Sequence, residues 1–284
     1  MRPPALILLL GLLCASCTAE VKEDPRGLTA LVSVEGSNTM TSLMQVLAKD
    51  FMAKHPDTPV SVTSDDSGSG ISALINRTTD LATSSRDLTA EEAKLIAARG
   101  ERLKKVTIAC DAIVILVNPA NPVSEISLEQ LQAVFSGQRR NWRELGGPNQ
   151  PIQVYSREKD SGTYSYFLGH VLKDKPYSAS AKVLPSTEAI TEAVAKNRWS
   201  IAYEGLANAS KAGAKLKELK IKTTDSGPGV LPSADSATKD YPLSRPLILF
   251  VDKVPKPSVK EFVDFCLSDE GQKLVTAAGY ARLK

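Results

Sequence analysis

Arg157 is followed by a hydroxyl, a glycine and a second hydroxyl at Ser161, Gly162 and Thr163. These stand directly ahead of Tyr164, Phe167, Leu168, Val171 and Leu172, apolar positions at helical spacing. A planar guanidinium can offer two parallel hydrogen bonds to two oxygens of one group. Ser161 is a good N-cap, so the unpaired N–H groups of the first turn should gather at Gly162 and Thr163, where the helix dipole favours negative charge. The chemistry on offer is the holding of an anion. Ser-Gly-Thr before a helix is also a common plain cap, so the reading depends on matching parts elsewhere.

Two further turns match. Leu31 to Val34 reads as a strand, and Ser37-Asn38-Thr39-Met40 hands it to a helix with Met40, Leu43, Met44, Leu47 and Phe51 on one face. Val60 to Thr63 is a second strand, followed by Ser67-Gly68-Ser69-Gly70 and the helix start Ile71 to Ile75. Asp80 to Arg86 is a third short strand, ending in Ser84, Ser85 and Arg86, after which Thr89 and Glu92 form a capping box. Three helix starts and one arginine present about +2.5 to a ligand, which suits a small dianion.

The elements that must hold these residues form an α/β pattern. Strands that feed helices predict a parallel sheet whose ligands lie beyond the carboxyl ends of the strands. Val106 to Val117 is the most strand-like run, and Asp111 lies inside it. A carboxylate there is costly unless it is paired or meets a polar cleft; the alternative is a strand broken in two at an exposed bend. Ser127 and Gln130 cap the next helix, Ile152 to Tyr155 delivers the Arg157 loop, and a short helix lies around Ile190 to Val194. Lys211 to Lys222 reads as a solvated helix face or, alternatively, a docking surface for a partner. Arg245 to Val251 is a buried strand, and Ser258 is expected to cap the closing helix that carries Phe262, Val263, Cys266 and Leu267. The simplest architecture is two α/β lobes, with the chain crossing near Asp111 and returning near Arg245.

Lysine plus arginine number 35 against 32 aspartate plus glutamate in 284 residues, so no global field recruits nucleic acid. His55 and His170 are the only histidines, and neither lies in a nucleophile motif. No metal-ligand spacing occurs either, so no catalytic residue, metal or cofactor is expected. Arg2, the apolar run Ala5 to Leu13 and Ala15-Ser16-Cys17 have the layout of an export signal. Ala-Ser-Cys resembles a lipoprotein box, with Cys17 as the lipidated residue and 18–27 as a tether, although Cys14 stands where leucine is usual; ordinary signal cleavage is the alternative. Cys110 and Cys266 are then the remaining thiols, either paired in an oxidising compartment or buried as small hydrophobes.

Gly36 to Met40, Ser67 to Ile71, Asp80 to Arg86, Arg157 to Thr163, Ile201 to Leu206 and Tyr241 to Leu247 together resemble the periplasmic phosphate-binding proteins of high-affinity phosphate ABC transporters. The resemblance spans nearly all of the mature chain. It implies a type II periplasmic-binding fold, with lobes at 28–113 plus 245–284 and at 114–244, joined by crossing strands over a phosphate cleft. It further implies a monomer that serves a membrane permease and touches the membrane only through a lipid anchor. Carried over, Ser37 and Thr39 with the backbone of Met40 form the first helix-end contact, with Asn38 in the same turn, and Ser67 forms the second. Arg157, Ser161, Gly162 and Thr163 line the opposite lobe. Well-known members have an aspartate where this chain has Ser85, followed here by Arg86, and that aspartate accepts the ligand's proton. Another acceptor is then needed: Asp111 is the first candidate, and Asp160 the second unless it orients Arg157. The alternatives are another oxyanion such as sulfate or molybdate, a phosphate-sensing lipoprotein and, more remotely, a secreted phosphatase.

Overall fold

A computed structural model describes residues 30–237 and 241–283. The export signal, Cys17 and the tether lie outside the described residues.

The strands are β1 (Val32–Ser37), β2 (Val60–Asp65), β3 (Leu81–Ser84), β4 (Leu103–Val117), β5 (Glu125–Ser127), β6 (Gln153–Arg157), β7 (Lys182–Leu184), β8 (Ser200–Gly205), β9 (Lys217–Glu218), β10 (Lys220–Lys222), β11 (Gly229–Val230) and β12 (Ser244–Asp252). The main sheet runs β2-β1-β3-β12-β4-β8-β6-β7, with β9 paired to β4, while β11, β10 and β5 make a small second sheet. The strands that feed helices pair in parallel, β1 with β2 and β3, and β6 with β7 and β8. The crossing strands β4 and β12 run antiparallel to each other and place Arg245 directly opposite Asp111.

β4 is the spine of both lobes. It pairs with β12 up to Ala112 and with β8 from Ile113 onward. Asp111 sits in one continuous strand and is buried, so the exposed bend does not occur. In the first lobe, α1 (Thr41–Lys54) lays Leu43, Met44, Leu47 and Phe51 into the core, as its spacing predicts, and Phe51 meets Phe262 edge to face. α2 (Ser67–Ile75) and α3 (Ala90–Ala98) follow β2 and β3, and α3 opens with the Thr89/Glu92 capping box. In the second lobe, α4 (Leu128–Phe135) starts at the expected Ser127/Gln130 box, α5 (Gly162–Phe167) starts at Ser161 and α6 (Thr187–Lys196) follows β7. Trp142, Phe135, Phe167 and Tyr203 fill that core.

Two local expectations are corrected. Lys211 to Lys222 is not one helix: after the short α7 (Leu206–Ala209) and a 3-10 segment at Ser210–Lys215 that is kinked at Gly213, it becomes β9 and β10. After the short α8 (Ala234–Ala237) and β12, α9 (Pro257–Leu267) begins one residue before Ser258, with Lys256 at the N-cap, because Pro257 is already set for a first helical position. The closing helix then breaks at Ser268, which caps α10 (Asp269–Ala277). Cys110 and Cys266 are free thiols, the first half-buried and the second buried.

Candidate functional site

The lobes meet at the carboxyl ends of β1, β2, β3, β6 and β8, where the strand-to-helix turns face one another. At the centre are two hydroxyls, Thr39 from the first lobe and Thr163 from the second, with their Oγ1 atoms 3.2 Å apart. Arg245 lies behind them. Its Nη1 donates to Thr163 Oγ1 at 2.8 Å, its Nη2 to Thr39 Oγ1 at 3.3 Å, and its Nε and Nη2 both to Asp111 Oδ2 at 3.1 and 2.8 Å. Each threonine oxygen accepts from the guanidinium and one hydroxyl can donate to the other, so at least one hydroxyl proton is left for a further acceptor. Gly205 permits this grouping, since a Cβ there would come within 2.5 Å of Asp111 Oδ2 and 3.1 Å of Arg245 Nη2.

Beside the threonines, Gly162 presses against the other lobe, where a methyl group would overlap Ser67 Oγ and approach Ser85 Oγ to 2.5 Å. Ser67 Oγ accepts from the Ser85 amide at 3.2 Å, and Ser85 Oγ has no partner among the described residues. Ser161 accepts from the Tyr164 amide as a cap, which leaves the Gly162 and Thr163 N–H groups without an intrahelical partner. The corresponding donor on α2 is used differently: Gly68 N–H bonds to the Asp160 carbonyl at 3.2 Å and ties the lobes together. Asn38 also bridges, accepting from Thr187 Oγ1 at 2.9 Å.

Arg157, at the end of β6, is 1% exposed. Its Nη2 donates to Asp66 Oδ1 of the first lobe at 2.9 Å and to the Pro185 carbonyl at 3.1 Å, whereas its Nε has no partner among the described residues. Glu204, the penultimate residue of β8, is fully buried, with Oε2 4.0 Å from Arg157 Nη1. Its Oε1 accepts from the Gly205 amide at 3.0 Å, while Oε2 has no partner among the described residues. Burial raises the carboxyls of Glu204 and Asp111 above their usual range, against the pull of Arg157 on the first and Arg245 on the second. Burial likewise raises Asp66, against Arg157.

Of the residues singled out in the sequence, Ser37, Thr39, Ser67, Ser85, Asp111, Arg157, Ser161, Gly162 and Thr163 lie together and are buried at this junction. Met40 turns its side chain into the first-lobe core. Arg86 stands at the rim, where Nη1 and Nη2 each donate to a Glu92 carboxylate oxygen at 2.7 Å. Asp160 does not orient Arg157: its side chain is exposed at the loop tip, and Asp66 takes that position from across the cleft. Three central residues, Arg245, Glu204 and Asp66, are ones to which the sequence pattern assigns no role. For the first, the signal is a lone arginine heading one apolar strand and a lone aspartate inside another.

The family model of the PBP superfamily domain matches residues 22–270. The chain belongs to this superfamily. It is 30% identical over 280 residues to phosphate-binding protein PstS of Staphylococcus saprophyticus, a match that covers 96% of this chain and 86% of the relative. It is also 30% identical over 264 residues to protein SphX of Synechococcus elongatus, covering 89% and 78%. Among solved structures, a phosphate ABC transporter substrate-binding protein from Clostridium perfringens with bound phosphate superimposes with a TM-score of 0.80 at 29% identity, covering 89% of this chain and 100% of that one. An ABC-type phosphate transport receptor from Vibrio cholerae gives 0.72 at 30%, again covering 89% and 100%. The type II two-lobe fold is thus shared, and the family is one of substrate-binding transport proteins rather than enzymes.

Proposed function

We propose that the chain captures inorganic phosphate between its lobes and delivers it to the membrane permease of an ABC transporter. The observation that carries this reading is the pair Thr39 and Thr163, one from each lobe, brought to 3.2 Å and backed by a single arginine. Such a pair can direct hydroxyl protons at an anion only when the lobes are together. The phosphate-binding relatives support the choice of anion.

In this reading the first lobe, 28–113 plus 245–284, contributes Ser37, Asn38, Thr39, the backbone of Met40, Ser67 and Ser85. The second, 114–244, contributes Arg157, Ser161, Gly162 and Thr163. Asp111 acts through Arg245, and Arg86 serves at the rim. In this reading helix N-termini, hydroxyls and arginine compensate the ligand's charge without a metal. The protein works as an exported monomer tethered by lipid at Cys17, and no helix among the described residues is long and apolar enough to cross a membrane.

Isothermal titration with phosphate at fixed ionic strength is expected to give one saturable site, with a smaller scattering radius on binding. Absence of binding heat would sink the reading. Labelled palmitate is expected to appear on the mature chain and to be absent after Cys17→Ser; a chain exported without label would leave the periplasmic role but remove the anchor.

A further inference from the structure

We propose that Glu204 is the acceptor by which this site distinguishes an oxyanion that carries a proton from one that does not. The inference rests on the phosphate reading above and goes beyond it to selectivity.

Glu204 Oε2 is a fully buried carboxylate oxygen with no hydrogen bond among the described residues, and the nearest guanidinium nitrogen, Arg157 Nη1, is 4.0 Å away. That separation is too long for a hydrogen bond. Arg157 Nε is likewise buried and unpartnered among the described residues. An orphaned acceptor beside an orphaned donor is costly in a dry site, and two such groups on neighbouring strands rarely both go unmatched. One ligand can satisfy both: a bare oxygen accepts from Arg157, and an adjacent O–H donates to Glu204 Oε2. Hydrogen phosphate has both kinds of oxygen at neutral pH, whereas sulfate has only the first.

The remaining groups cannot make this distinction. The hydroxyls of Thr39, Thr163, Ser67 and Ser85 donate or accept by rotation, and the amides and guanidinium groups only donate. Among the carboxylates, Asp111 has Oδ2 committed to two Arg245 N–H groups and is further held by the Ala112 and Leu206 amides. Its geometry is that of a counter-ion behind the threonines, so the acceptor role expected of Asp111 passes to Glu204. Asp66 already accepts from Arg157. The groups that face Glu204 are the Arg157 and Arg245 cations, the Gly205 amide and the Thr187 hydroxyl, whose proton goes to Asn38. All of these leave Oε2 free.

The test is a titration of wild type, Glu204→Gln and Glu204→Asp with phosphate and with sulfate at one ionic strength and neutral pH. Gln keeps the shape and presents an N–H in place of an acceptor oxygen. It is expected to weaken phosphate by about 10- to 100-fold and to leave sulfate unchanged or tighter. Asp, which retains the charge one methylene short, is expected to weaken phosphate and still exclude sulfate. Equal weakening of both anions by Gln, or an unchanged ratio, would overturn the inference. Should the variants not fold, wild type is compared on two anion pairs, phosphate against sulfate and arsenate against selenate. Tight binding of sulfate or selenate also overturns it. Failure of wild type to bind phosphate defeats the functional reading itself and this inference with it, a result distinct from loss of selectivity.

Discussion

Two buried arginine–carboxylate pairs lie within this one cleft, and they are finished to different degrees. Arg245 and Asp111, opposite each other on the crossing strands, are 2.8 Å apart, and all three guanidinium nitrogens find acceptors. Arg157 and Glu204, on neighbouring strands of the second lobe, stop at 4.0 Å and leave Nε and Oε2 without a partner among the described residues. Both pairs have given up water, so the difference is not one of burial. A complete pair is satisfied by the fold and positions its neighbours; an incomplete one becomes satisfied only when something else arrives.

The sharpest way to break this contrast is to remove Arg245. Arg245→Ala strands Asp111 in the interior, and urea unfolding should show a loss of about 3–5 kcal/mol; a loss well under 1 kcal/mol would show that the complete pair is not structural. Arg157→Ala should cost less stability, because its pairing is only partial, but should weaken phosphate binding by about 2–4 kcal/mol in a calorimetric titration. If Arg157→Ala unfolds the protein as readily as Arg245→Ala does, the two pairs do not differ in kind. Gly162→Ala introduces a methyl group against Ser67 and Ser85 and should disfavour closure by about 1–3 kcal/mol. Small-angle scattering would then report an open form at phosphate concentrations that close the wild type.

Acidity sharpens the contrast further. The Glu204 carboxyl is raised from its usual 4.5 by burial, so it takes up its proton at a higher pH than an exposed glutamate as pH falls. Once protonated, Oε2 belongs to a donor and no longer repels a bare oxygen. Sulfate affinity should therefore rise as pH falls through that raised value and be lost again as pH climbs back; a flat sulfate profile down to pH 4.5 would contradict the role given to Glu204. At the far end of the scale is Lys211, whose exposed ammonium reaches Ser42 across the lobes at 2.6 Å. Lys211→Ala should change stability by under about 0.5 kcal/mol in the same urea series, since exposed polar contacts of this kind contribute little.

Parts of this site are legible in the amino-acid sequence because their signals are local. Ser161 caps the helix that follows, Thr89 and Ser127 open capping boxes, and the face from Met40 to Phe51 is buried as its spacing requires. The lysine-rich stretch misleads because its charges stand out and their period does not. Lys215, Lys217, Lys220 and Lys222 are interleaved with Leu216, Leu219 and Ile221, a near-alternation that belongs to strands. Arg245 escapes notice for a different reason. Its partner is 134 residues away, and only the register of two antiparallel strands makes them neighbours. Glu204 leaves still less trace, since its distinguishing property is one carboxylate oxygen without a partner among the described residues.

The turn around Thr39 is secured from far along the chain. Arg245 donates to its hydroxyl from 206 residues downstream, and the Tyr280 hydroxyl donates to its carbonyl at 2.6 Å from 241 residues downstream. Contacts of that span are slow to form because a long loop must close first. β1 and α1 are neighbours in the chain, yet these two contacts to the turn between them form only once β12 and the segment after α10 have docked. Completion of the site thus runs against the order of the chain: among the first residues made are some of the last to be secured, and a chain interrupted between Thr163 and Arg245 would carry the proposed ligand contacts without the strand that aligns them.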